Sequence, residues 1–282
     1  FLEMKKILTV AIACACLTGF SACNDFLEEK PKSSLTAPDY YQTEAQAQAN
    51  VNYLYRTGAS SKLTGAGSAY VGPFASITGQ LTGYFTNSYE GQELTCKYSR
   101  ELTRQQNTMT VSVTIDGIWD DCYKAINVAN GAIKYIPEIS MDQSLANRLI
   151  GEAKFFRAWN YFNLVKIFGG VPLTVEPYES MENMYLERAS VEQVYAQVES
   201  DLKDAVNALP AATFYNNSNR ITKYAAAMVL TSVYMQQGKY TGIFSCLQMF
   251  VVSNGTDTRY IASAVCGKLK EQFLSTWVDK NN

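Results

Sequence analysis

Residues 152–173 read Glu152-Ala153-Lys154-Phe155-Phe156-Arg157-Ala158-Trp159-Asn160-Tyr161-Phe162-Asn163-Leu164-Val165-Lys166-Ile167-Phe168-Gly169-Gly170-Val171-Pro172-Leu173. Apolar residues recur three and four apart from Leu145 through Leu149, Ala153, Phe156, Trp159, Phe162 and Val165 to Phe168. That is the period of one face of an α-helix. Gly169-Gly170 terminate it.

Helices follow outward in both directions. Upstream, Ile115, Ile118, Trp119, Cys122, Ile126, Ala129, Ile133 and Ile136 form a stripe that Pro137 ends. Downstream, Ser190 and Gln193 have the spacing of a capping box. It opens a helix with Val191, Val194, Val198, Leu202, Ala205 and Leu209 on one face, stopped by Pro210. Thr222 or Lys223 opens a fourth, carrying Ala225-Ala226-Ala227, Leu230, Val233 and Tyr234, with Gly238 just past its end. The four segments make two hairpins, each running long helix, Ile-Pro or Leu-Pro stop, polar loop, long helix, glycine stop. Stacked hairpins are the logic of tetratricopeptide arrays, although these repeats are longer and looser than the ~34-residue pattern. A simple helical bundle satisfies the same periodicity. Before the hairpins, Thr43 caps a shorter helix with Ala45, Ala49, Tyr53, Val51 and Leu54, stopped by Arg56-Thr57-Gly58. Ser60 to Thr110 is rich in Gly, Ser and Thr and reads as a long loop, a kind of segment that is often functional. The fold class expected is mainly α: tetratricopeptide-like hairpins with a long irregular loop insertion.

Composition narrows the chemistry. The 282 residues carry 24 Lys+Arg, 26 Asp+Glu and no histidine. A net charge of -2 gives no basic footprint for nucleic acid. Without histidine there is no Ser-His-Asp or Cys-His nucleophile system and no His-ligated metal. Carboxylate, Lys or Cys chemistry remains, or none. No CxxC, GxGxxG or Walker-type loop occurs, so neither metal nor cofactor is expected. Asp120-Asp121 are neighbours that a helix points apart, which reads as a solvated face. Glu152 and Arg157 read as a structural ion pair. Cys96 and Cys122 are equally compatible with a disulfide and with free thiols. The 19 tyrosines and 13 phenylalanines suit a protein that binds something flat or apolar.

The N-terminus reads as an address. Met4 is the expected start, Lys5-Lys6 a short positive region, and Ile7 to Leu17 an apolar run of signal-peptide length. That run is short of the ~20 residues a membrane span needs. Ser21-Ala22-Cys23 resembles a bacterial lipobox, which makes Cys23 the acylated first residue after a signal peptide of residues 1–22. Asn24 to Pro38 reads as a polar tether.

Residues 152–173 closely resemble the SusD/RagB family, the glycan- and nutrient-binding outer-membrane lipoproteins of Bacteroidetes. The shared pattern is an acid, then Arg-Ala, aromatic residues and Leu-Val, running into an aromatic-Gly-x-Val-Pro-Leu exit. Further likenesses occur in family order. They are Cys23-Asn24-Asp25-Phe26-Leu27 with Lys30-Pro31, and Trp119 with Tyr123, Ile126, Asn127, Ala129 and Asn130. Arg188-Ala189-Ser190-Val191-Glu192-Gln193-Val194-Tyr195 with Leu209-Pro210 follows, then Arg220 through Gly238-Lys239-Tyr240. The resemblance covers about Cys23 to Tyr240 and makes 23–240 the SusD-like N-terminal helical domain.

The resemblance implies a non-enzymatic, lipid-anchored outer-membrane protein, surface-exposed, that binds a glycan or other nutrient. It further implies delivery to a SusC-like TonB-dependent transporter. Sugar binding needs aromatic faces for pyranose rings and amides, carboxylates and Arg for hydroxyls. In the family the site lies partly in loops between the first helices, where this chain offers Tyr84, Tyr89, Glu90, Gln92, Tyr98 and Arg100. Core packing is the competing reading for each of them. An adaptor that binds a protein partner through helical repeats is the alternative function, and a carboxylate hydrolase a third that no spacing favours. After Tyr240 the likeness stops. Residues 241–282 are expected to be a divergent tail of a truncated or frameshifted product lacking the family's C-terminal region; the other reading frames of the coding DNA test this.

Overall fold

The computed structural model describes residues 40–55, 109–179, 186–212, 215–239 and 241–243. These contain α1 (Glu44–Leu54), α2 (Met109–Tyr135), α3 (Gln143–Phe168), α4 (Val191–Ala208) and α5 (Lys223–Gln236), with single 3-10 turns at Ile136–Glu138 and Tyr215–Asn217. The described part is mainly α. Among the described residues the only β pairing is one antiparallel bridge, Pro172 with Arg188. None of the described helices is long and apolar enough to cross a membrane. Residues 60–108 of the expected loop insertion lie outside the described residues, while Met109 and Thr110 already belong to α2.

Cross-contacts fix the topology. Tyr123 meets Tyr161 and Asn130 meets Arg157, so α2 and α3 run antiparallel. Phe162 meets Tyr195 and Lys154 meets Asp204, so α3 and α4 do too. Glu199 with Gln237 and Lys203 with Tyr234 give the same relation for α4 and α5. The antiparallel α2–α3 and α4–α5 pairs are the double hairpin expected from the stop signals. α1 packs across α2 and α3.

The caps work as the residue types require. Thr43 accepts from the Gln46 backbone N–H, and Ser190 with Gln193 forms a full capping box. Asp142 caps α3 by accepting from the Leu145 N–H. At the other end of α3 the two glycines have different duties. Gly169 sits at φ +71°, where a side chain is strained. Gly170 lies so close to the next segment that a Cβ would come 2.3 Å from the Ala189 carbonyl oxygen. Arg188 then donates to the carbonyls of Phe168 (2.6 Å) and Gly170 (2.7 Å), covering the open end of the helix.

α3 is the centre of the described helices. From Gly151 to Val165 nearly every residue is buried, polar ones included, so its apolar stripe is one side of a helix covered all round. One expectation about partners is corrected. Glu152 and Arg157 do not pair, because five residues place them about 140° apart around the helix. Instead Arg157 clasps Asp201 of α4 through two bonds of 2.8 and 2.7 Å, while Glu152, fully buried, takes Arg220 from the turn before α5. α1 likewise turns a different face inward: Ala47, Val51 and Leu54 are buried, whereas Ala45 and Ala49 face solvent and Tyr53 is 52% exposed. Val191 also stands out at the open end of α4, 37% exposed, while Val194, Val198, Leu202 and Ala205 form the buried stripe. Cys122 is buried and free, which removes the Cys96–Cys122 disulfide; Cys96 itself lies outside the described residues.

Candidate functional site

After the glycine exit, Pro172 to Glu179 runs back along α2 as an extended strap with almost no backbone partners of its own. Side chains replace the missing sheet. Tyr123 donates to the Pro172 carbonyl (2.6 Å), Asn127 Oδ1 accepts from the Tyr178 N–H (2.8 Å), and Asn130 donates to the carbonyls of Thr174 (3.2 Å) and Glu176 (3.0 Å). Lys134 closes the series on the Glu179 carboxylate at 2.6 Å, joined there by the Tyr135 hydroxyl. Residues 123, 127, 130 and 134 are spaced four, three and four, so one edge of α2 holds the whole strap. From α3, the Tyr161 hydroxyl donates to the Thr174 carbonyl and accepts its N–H, both at 2.8 Å, and Arg157 reaches the Val175 carbonyl at 3.2 Å.

The strap forms one wall of a recess of about 440 Å³. Trp119, Asp120, Tyr123, Lys124 and Asn127 of α2 line it, facing Pro172, Tyr178 and Leu186. The helix residues are spaced one, three, one and three, the two adjacent rows of a single helical face. Trp119 is braced by Tyr123 (centroids 4.9 Å apart) and edge-on by Phe168 (5.1 Å). Tyr178 and Leu186 stand 38% and 41% exposed at the rim. Burial first, with neighbouring phenols second, pushes the Tyr123 hydroxyl well above its ordinary pKa, and burial does the same to Tyr178. Both stay neutral near pH 7 and act as hydrogen-bonding hydroxyls, not as bases.

What distinguishes the recess is unused hydrogen-bonding capacity. Among the described residues Asp120 and Lys124 form no ion pair or hydrogen bond, and the Asn127 amide nitrogen and the Tyr178 hydroxyl likewise find no hydrogen-bond partner. A larger recess of about 710 Å³ between α4 and α5 differs in this respect. There Glu199 already accepts from Gln237 (2.9 Å), Lys203 (3.3 Å) and Lys239, so its charges are satisfied internally. Among the described residues no three His, Cys, Asp or Glu side chains gather as metal ligands do.

The candidates Tyr84, Tyr89, Glu90, Gln92, Tyr98 and Arg100, and the acylation candidate Cys23, lie outside the described residues. The recess was not anticipated. Asp120-Asp121 reads as a solvated pair, yet only Asp120 lines the recess, and the signal that finds it is the mixture of aromatic, acid, base and amide along one face of α2.

A model of SusD-like proteins, described as starch-binding and associating with the outer membrane, matches residues 25–235. The chain belongs to the SusD-like family. SusD-like protein P2 of Formosa agariphila is 27% identical over 256 residues, 89% of this chain and 47% of that protein. The chain spans about half the length of the curated SusD-like relatives it matches. A solved laminarin-binding SusD-like protein is 27% identical with a TM-score of 0.51, covering 74% of this chain and 43% of that one. A SusD-like carbohydrate-binding protein from Bacteroides vulgatus, 17% identical with a TM-score of 0.60 over 78% of this chain and 47% of that one, supports the fold alone.

Proposed function

We propose that this SusD-like chain captures a glycan at the cell surface and passes it to a SusC-like TonB-dependent outer-membrane transporter. Family membership over residues 25–235 carries the reading. The mechanism is capture by stacking and hydrogen bonds, with no bond made or broken, in keeping with a chain that has no histidine. Cys23 would hold the protein to the outer membrane by its acyl chains, and residues 24–38 would be the tether. Glycan contacts would come in part from the Tyr84 to Arg100 loop. The laminarin-binding relative makes a β-glucan the first probe.

The test is native-gel affinity electrophoresis of the full chain, in mild detergent, against laminarin, starch, xylan and alginate. Retardation by a polysaccharide, with co-purification of a TonB-dependent transporter from membranes, is the expected result. No retardation by any glycan, together with capture of a soluble protein instead, would overturn the reading in favour of an adaptor.

A further inference from the structure

We infer that the recess on α2 is a binding subsite for one unit of a neutral, hydroxyl-rich glycan. This deepens the proposed function and rests on it.

Size comes first. About 440 Å³ lies within the range of small-molecule sites, about 300–1,000 Å³. The lining then sorts the ligand chemistry. Trp119, Tyr123 and Tyr178 supply aromatic surface, of which the Tyr178 ring at the rim is open to a stacking partner. Beside them on α2 lie one carboxylate, Asp120, one ammonium, Lys124, and the donating amide of Asn127, none of them satisfied among the described residues. A ligand that fits must offer donors to Asp120 and acceptors to Lys124 and Asn127 at once. A sugar hydroxyl is both donor and acceptor, so a polyol ring meets all three.

Net charge then discriminates among glycans. One negative and one positive group sit on successive turns of the same helix, so the recess carries no net charge to attract an ion. A sulfated or uronic unit would confront Asp120, and a cationic amino sugar would confront Lys124. Rigidity adds to the case. The Tyr178 backbone is fixed through Asn127, and the strap through Tyr123, Asn130 and Tyr161, so binding orders little chain. The recess between α4 and α5 lacks this logic, because its carboxylate is already held by a lysine pair and an amide.

The experiment is a titration of the full chain and its variants with laminarin and starch as neutral probes and alginate as an anionic one. Tyr178→Ala keeps the backbone N–H that binds Asn127, and Asp120→Ala removes an exposed side chain, so both variants should fold, which a thermal melt checks. Each should weaken binding of the neutral glycan about three- to tenfold, the value of one stacked ring or a few hydrogen bonds. Met228→Ala, on the exposed face of α5, should leave it unchanged. Neutral-glycan binding that survives both recess variants within twofold overturns the subsite while leaving the proposed function standing. Binding of alginate alone overturns the neutral selection. Binding of no glycan defeats the subsite and the proposed function together.

Discussion

Arg157 shows how one side chain can organise three neighbours. Its guanidinium closes two bonds on Asp201 and one on Asn130 Oδ1 (2.9 Å) in the interior, and gives its remaining reach to the part-buried Val175 carbonyl. A buried charge that loses its partner is far costlier than the pair is beneficial. Arg157→Met should therefore destabilise the protein by about 3–5 kcal/mol, read from the urea midpoint. Adding Asp201→Leu should recover part of that loss, since the orphaned carboxylate goes too. A single variant within about 1 kcal/mol of wild type contradicts this account.

Cys122 makes a second prediction at this scale. Burial, reinforced by the Asp121 carboxylate, pushes its thiol up to about 12 from the usual ~8.5. The thiolate is the reactive form, so a disulfide reagent at pH 8 should label Cys122 only once urea unfolds the chain. Because the folded pKa is the higher one, this group's share of stability is intact below about pH 8.5 and is lost as pH rises toward about 12. Labelling of the folded protein at the rate of a free thiol would show the site to be open. Neither Arg157's partner nor the thiol's state could be read from sequence, because helical period gives a residue's face without identifying what packs there.

At the scale of elements, the helices were legible and the strap was not. Caps, glycine stops and Ile-Pro or Leu-Pro breaks are local signals, and α3, α4 and α5 end where those signals put them. Residues 172–179 have no period of their own, and their conformation is set by side chains from two helices. α1 was found but turned, since alanines at 45, 47 and 49 give the hydrophobic pattern little to choose between. Tyr161→Phe tests the strap. It keeps the ring, which is completely buried, but strips the Thr174 N–H of its partner and leaves the Thr174 carbonyl to Asn130 alone. The expected cost is about 2 kcal/mol, with faster hydrogen exchange at the Thr174 amide. Unchanged exchange would mean that α2 alone holds the strap.

Across the whole molecule, the distant ends of the described chain meet at Arg220. It donates to Asn52 at 2.6 Å, a partner 168 residues away, lies over the Tyr55 ring at 4.9 Å, and pairs with the buried Glu152. The Tyr55 hydroxyl accepts in turn from the Ile221 N–H at 3.0 Å. This is how a short helix with only three buried side chains stays docked on a double hairpin. Arg220→Ala should cost up to about 3–5 kcal/mol by leaving the buried Glu152 with Arg148 alone, 3.9 Å away, and should expose α1 to proteolysis before the rest. Simultaneous cleavage of α1 and the hairpins would show α1 to be held by its apolar face.

Sequence pattern reached the family and the hairpins because both are written in local order and spacing. The recess needed α2, the strap and Leu186 brought together across more than 50 residues, which no local pattern encodes. Glycan capture by this SusD-like scaffold is most directly tested by calorimetric titration of the full chain with oligosaccharides of whichever neutral polysaccharide retards it. The account predicts saturable binding, weakened three- to tenfold by Tyr178→Ala. An absence of saturable heat with every neutral glycan tested would contradict it.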